Sequence, residues 1–207
     1  MTQPRFGEVR IRSRGRLPHW ETEGGTYFVT FRLVDSLPQS VLDSFEFERK
    51  DILKRAKQQG RELSATERKR LDELFSERIE AYLDSGAGAC HLSDPEIADL
   101  AAKALRHFDS QRYRLLAWCV MPNHVHVVFR IFPGQSPDKI LHSWKSFTAK
   151  KANEILRRTG EFWQREYYDH LIRNAEELAR TIRYVAENPA KAGLKDWKWI
   201  WVRAGLR

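Results

Sequence analysis

The chain has 207 residues, 42% of them hydrophobic and 12% aromatic, so composition excludes a disordered polymer and allows a real core. Its 36 Lys and Arg against 28 Asp and Glu give a formal charge of +8, which favours a polyanionic partner, nucleic acid before membrane. Two cysteines far apart, Cys90 and Cys119, exclude a disulfide framework and a four-cysteine zinc site; no apolar signal-peptide core and no run of ~20 apolar residues is present, so an intracellular, soluble protein without a membrane partner is expected.

In chain order, residues 1–20 carry Arg5, Arg10, Arg12, Arg14 and Arg16 against one acid, Glu8, a net of +4. They read as a basic N-terminal arm, with Arg10, Arg12, Arg14 and Arg16 as candidate nucleic-acid contacts, or as a solvated tail. GGTYFVTFRLV, 24–34, follows a glycine pair and is rich in β-branched and aromatic residues, so it predicts a strand. Residues 41–84 are charged with apolar positions at helical spacing, as in LDELFSERIEAYL. A break at QQGRELSATERKR, with Ser64 or Thr66 as N-cap, makes them an inserted helical hairpin. LSDPEIADLAAKALRHF, 92–108, predicts a helix capped by Ser93 or Asp94, with Pro95 at its first position.

YRLLAWCVM, 113–121, and HVHVVFRIF, 124–132, predict two strands joined at the Pro122-Asn123 turn. SPDKILHSWKSFTAKKANEILRRTG, 136–160, predicts a long basic amphipathic helix ending in Gly160. Its Lys145, Lys150 and Lys151 are either nucleic-acid backbone contacts or part of a solvated face. EFWQREYYDHLI, 161–172, predicts a last strand or extended segment. A capping pattern of Asn174 with Glu177 opens a helix, 175–188, that the proline rule stops at Asn188-Pro189. The tail 195–207, KDWKWIWVRAGLR, is basic and rich in tryptophan; residues 137–207 hold fifteen Lys and Arg against nine Asp and Glu. Without the insertion the order is β-α-β-β-α-β plus an appended helix. That is an α+β, ferredoxin-like split β-α-β pattern: an antiparallel sheet with helices on one face.

Inside the strand from residue 124, alternation points His124 and His126 the same way and Val125 and Val127 the other. Two imidazoles ~7 Å apart along a strand can chelate one divalent ion, flank one phosphate, or simply form a surface pair. Metal-assisted attack on a phosphodiester also needs a nucleophile, and tyrosine can serve. Tyr184 and Asn188 lie four residues apart on the predicted helix 175–188, hence on one face. The bland readings are a packing tyrosine and a helix-terminal asparagine. The adjacent Tyr167 and Tyr168 are rivals for the nucleophile, but they fall on the extended segment.

VMPNHVHVVF, followed downstream by EFWQREYYDHLIRNAEELARTIRYVAENPAKAGL, resembles the single-tyrosine HUH transposases, specifically the REP-associated tyrosine transposases. The H-U-H triplet alone is weak; its combination with Y-x-x-x-N-P-x-K-A-G is specific. The resemblance covers 24–34 and most of 92–194, roughly two-thirds of the chain. It implies a Mg2+ or Mn2+ ion held by His124, His126 and Asn188, with Tyr184 as the nucleophile. It further implies a single-stranded or hairpin (REP-like) DNA partner, cleavage and rejoining through a 5′-phosphotyrosine link, and action in the bacterial cytoplasm at the nucleoid. A homodimer is possible for such proteins and not required. The insertion departs from the minimal pattern and can add a DNA contact, a dimer surface or neither. Three alternatives stay open: an RNA- or DNA-binding module on the same sheet, a metal nuclease that uses water, and a domesticated enzyme that mobilises nothing of its own.

Overall fold

Alternation along one strand divides the molecule into two cores. Residues Tyr27, Val29, Phe31 and Leu33 enter the larger apolar cluster, whereas Phe28 enters a second one. The computed structural model describes residues 10–14, 17–64, 66–67, 70 and 82–206. In order these form β1 (Arg10–Arg14), β2 (Leu17–Glu21), β3 (Thr26–Arg32), α1 (Gln39–Gln58), a 3-10 turn (His91–Ser93), α2 (Pro95–His107), β4 (Tyr113–Val120), β5 (His124–Ile131), α3 (Pro137–Ile155), β6 (Tyr168–Ile172), α4 (Ala175–Lys191) and β7 (Ile200–Val202).

The main sheet has five strands in the order β6-β3-β5-β4-β7, with every pairing antiparallel. Its first four strands are the expected ferredoxin-like set, and β7 adds an edge. Helices α2 and α3 cover one face, through Ile97, Ala101, Leu105, Ile140, Leu141 and Trp144. That core includes a polar thread: Trp144 Nε1 donates to the Tyr113 hydroxyl at 2.8 Å, and Tyr113 donates to the Leu105 carbonyl at 2.8 Å. Each such bond is worth about 1 kcal/mol net, but leaving either buried donor unpaired would cost more.

Helix α4 is the helix expected as an addition to that pattern. Its Ile182 and Val185 pack on Phe28, Cys119 and Val128, on the face opposite α2 and α3. It also runs past Pro189 rather than stopping before it. Near a helix end a proline forfeits a single backbone bond, and buried packing of Asn188 and Pro189 outweighs that loss. The helix ends instead in a Schellman motif: Gly193 N–H donates to Ala190, Leu194 N–H donates to Pro189, and Gly193 takes φ +74°. At the other end Asn174 accepts from the Glu177 N–H at 2.8 Å, as the sequence pattern implies.

Other boundaries move as well. Asp94, not Ser93, caps α2, accepting from Glu96 N–H at 2.8 Å. Ser64 and Glu67 form a reciprocal capping box within the insertion, whose second helical arm lies mostly outside the described residues. Helix α3 ends at Ile155, short of Gly160. Residues 10–14 and 17–21 form a two-stranded ribbon where an arm was expected, with Arg10, Arg12 and Arg14 at alternate positions of β1; Arg16 lies outside the described residues. The tryptophan-rich tail is stitched to the sheet: Trp197 donates to Val120, Trp199 to Asp99, and Arg203 bonds Asp109 and the Leu115 carbonyl.

Candidate active site

Strand β5 delivers His124 and His126 to the α4 side of the sheet, and both are fully buried. Their Nε2 atoms face each other at 2.9 Å. Each ring is held from behind by its other nitrogen. Asn123, itself fully buried, donates through Nδ2 to the carbonyls of Leu83 and Ala87, at 3.0 and 2.9 Å. That fixes its amide orientation, so its Oδ1 accepts from His124 Nδ1–H at 2.7 Å. His124 therefore keeps its lone pair on Nε2. On the neighbouring strand the Thr30 hydroxyl lies 2.7 Å from His126 Nδ1 and can donate to it or accept from it. A contact between two Nε2 atoms is satisfied by one shared proton or by a cation facing both lone pairs.

Burial keeps both imidazoles neutral. His126 is pushed down to about 3 by desolvation. His124 is pushed well below its usual range by desolvation first, then by the charges of His126 and Arg32. Neutral rings are what a metal requires of histidine. Phe28 lies under the pair, stacked on His126 with centroids 5.5 Å apart and meeting Tyr184 edge-on at 5.9 Å.

Helix α4 brings the other predicted residues to the same spot. The Tyr184 hydroxyl lies 3.5 Å from His126 Nε2 and accepts from Asn188 Nδ2 at 3.0 Å. Asn188 is 1% exposed, and its Oδ1 has no hydrogen-bond partner among the described residues. An orphaned buried carbonyl on the residue bonded to Tyr184, together with two facing imidazole lone pairs, fits a divalent ion. Adjacent ligands of an octahedral ion with bonds of about 2.1 Å stand roughly 3 Å apart, close to the spacing of the two Nε2 atoms. Among the described residues no three His, Cys, Asp or Glu gather into a metal-binding group, so such an ion would rest on the two imidazoles and the amide oxygen.

Of the rival tyrosines, Tyr167 hydrogen-bonds Asp138 at the start of α3, and Tyr168 meets Phe28 edge-on at 6.3 Å. The lysines of α3 do not join the site. That helix packs on the opposite face; Lys145 donates to the carbonyls of Gln164 and Arg165, Lys151 pairs with Glu154, and Lys150 is exposed. Trp163 is buried and donates to Thr148. Sequence reasoning missed Thr30 and Asn123. Thr30 needs the β3–β5 register to be seen, whereas the only signal for Asn123 was its place next to His124.

One strand, β5, thus carries both histidines, and α4, which faces it, carries the tyrosine and the asparagine. Residues 93–188 match the family model described as transposase IS200 like, and over them the chain is similar to that family. More narrowly, it is 28% identical over 102 residues to a Haemophilus influenzae protein named as a REP-associated tyrosine transposase, covering 42% of this chain and 57% of the relative. It is 27% identical over 89 residues to an Escherichia coli REP-associated tyrosine transposase, covering 41% of this chain and 52% of the relative. The matched stretch thus spans little more than half the length of these curated relatives. In fold the chain is similar to a solved REP-associated tyrosine transposase bound to a REP hairpin, with TM-score 0.50, 16% identity, and coverage of 91% of this chain and 82% of that one. Among the described residues no helix is long and apolar enough to cross a membrane.

Proposed function

We propose that the chain is a metal-dependent single-stranded DNA endonuclease and transposase, acting at hairpin sequences through a phosphotyrosine intermediate on Tyr184. The observation that carries this reading is the Tyr184 hydroxyl, bonded to the Asn188 amide and lying beside the two facing imidazoles. His124, His126 and Asn188 would hold Mg2+ or Mn2+. When bound, the ion supplies Lewis-acid polarisation of the scissile phosphodiester.

The chain's own residues do the rest. Asn188 Nδ2–H, donated to the tyrosine oxygen, favours that oxygen in its deprotonated form. Tyr184 yields its proton to water, and its oxygen bonds to phosphorus. The bond from phosphorus to the 3′-oxygen breaks, and that oxygen takes up a proton and leaves as a free 3′-hydroxyl. The 5′-phosphate stays on Tyr184. Attack by a 3′-hydroxyl reverses these steps and rejoins a strand, so no external energy source is needed. Asn123 and Thr30 keep the imidazoles turned towards the reacting phosphate throughout.

The test is incubation of wild type and Tyr184→Phe with labelled hairpin oligonucleotides and Mn2+, followed by a denaturing gel. A metal-dependent protein–DNA adduct that disappears in the variant is expected. Cleavage by both proteins without an adduct would replace this reading with a nuclease that uses water. Binding without cleavage would leave a nucleic-acid-binding module.

A further inference from the structure

One buried cation stands at the site and is absent from the scheme above. Arg32, on β3, shares the face of Phe28 and Thr30 and is the register partner of His124. It is 8% exposed. Its guanidinium carries five N–H donors, yet nothing among the described residues accepts a hydrogen bond from it. Register and alternation therefore put it on the sheet face that carries the imidazoles. The carboxylate that acts on it is Glu166, which acts on Lys145 as well and hydrogen-bonds neither. The Arg32 nitrogens keep some contact with solvent, so the fork is within reach of an incoming anion.

The backbone around Arg32 is firmly held. Its carbonyl accepts from Gln164 N–H at 2.8 Å, and Leu33 N–H donates to Asn123 at 2.8 Å. The side chain is therefore presented from a rigid strand beside His124. Its planar fork matches the two free oxygens of a phosphodiester.

We propose that Arg32 is a phosphate-binding residue of this site, forming bidentate hydrogen bonds to a phosphodiester of the DNA strand next to the His124–His126 pair. This rests on the reading that single-stranded DNA enters the site. It assigns that strand a second anchor, on β3, opposite the nucleophile-bearing helix. Arg32 supplies no proton and takes none; it neutralises charge and fixes the phosphate for attack.

The experiment measures affinity for a labelled hairpin with single-stranded flanks as a function of KCl at fixed Mn2+, for wild type and Arg32→Gln, with melting temperatures alongside. Losing one phosphate contact to a single strand should lower the slope of log affinity against log salt by about 0.7. Affinity should fall about tenfold to a hundredfold. The melting temperature should hold, because the side chain has no hydrogen bond to lose among the described residues. A purely structural role would lower the melting temperature and leave the salt slope alone; wild-type affinity and slope in Arg32→Gln overturn the proposal.

Should Arg32→Gln fail to fold, Arg32→Lys decides. It should keep the salt slope and lose rate of adduct formation at saturating DNA, since lysine lacks the fork. A variant equal to wild type in rate and affinity overturns the proposal. The adduct assay judges the phosphotyrosine reading separately: a wild type that binds DNA but forms no adduct sinks that reading, while the salt slopes still decide Arg32. A wild type that binds no DNA overturns both.

Discussion

Asn123→Ala is the sharpest probe of how the site is built. The side chain makes three hydrogen bonds: donors to Leu83 O and Ala87 O, and an acceptor for His124 Nδ1–H. Removing it strands His124 Nδ1, on a residue 0% exposed, whereas the Leu83 carbonyl still accepts from Gly86 N–H at 3.1 Å. A stranded buried group costs about 1–3 kcal/mol, and that is the loss expected here. Ala87 is half-buried and can turn to water, so it adds little. The imidazole is also freed to adopt the other tautomer, and loss of such an orienting partner typically weakens metal binding 10–100-fold. Urea denaturation measures the first effect, and Mn2+ titration the second. Asn123→Asp separates them. Its carboxylate still accepts from His124, so metal affinity should hold, but it faces the Leu83 and Ala87 carbonyls and stability should drop. Wild-type stability together with wild-type Mn2+ affinity in Asn123→Ala would refute the reasoning.

The buried imidazoles also predict a pH dependence. Their folded pKa values lie below the ordinary 6.5, down to about 3 for His126, so the unfolded chain takes up protons first as pH falls. This contribution to stability is whole above pH 6.5 and is lost progressively towards pH 3, by up to about 1.4 kcal/mol per pH unit for each imidazole. Urea midpoints across that window should show the decline, and a His124→Gln/His126→Gln variant should show a shallower slope; equal slopes would contradict it. Gly193→Ala should cost about 1–2 kcal/mol in thermal unfolding, since φ is +74° and an added Cβ meets nothing within 4 Å. A wild-type melting temperature would mean that the helix terminus relaxes around the new methyl.

How far the sequence reveals this site depends on the range of the interaction. The shared face of His124 and His126 follows from period-two alternation, and the shared face of Tyr184 and Asn188 from helical spacing, so both halves are legible locally. Which side of the sheet α4 would choose is not legible, because Ile182 and Val185 make an apolar stripe suited to either face. The end of α4 was misread for a local reason: Pro189 signals a stop, but Gly193 supplies the left-handed residue that the terminating motif requires. The ribbon at 10–21 was obscured because alternating arginines resemble a solvated arm until their strand partners are known.

The positioning residues are harder still. Asn123 reads as an ordinary turn residue, and of its anchors Leu83 comes from the far end of the insertion and Ala87 from just after it. Thr30 meets His126 only through a register set across 96 residues of chain. The insertion therefore reaches the candidate site through one amide. Leu83 belongs to the small cluster that packs α1, with Leu37, Val41 and Ile52, so a shift of that helix would pull on the group that holds His124. This coupling gives the insertion a route to the chemistry without any DNA contact of its own. Loosening its packing, as Leu83→Ala would, should be felt at the Asn123 amide before it is felt in the sheet.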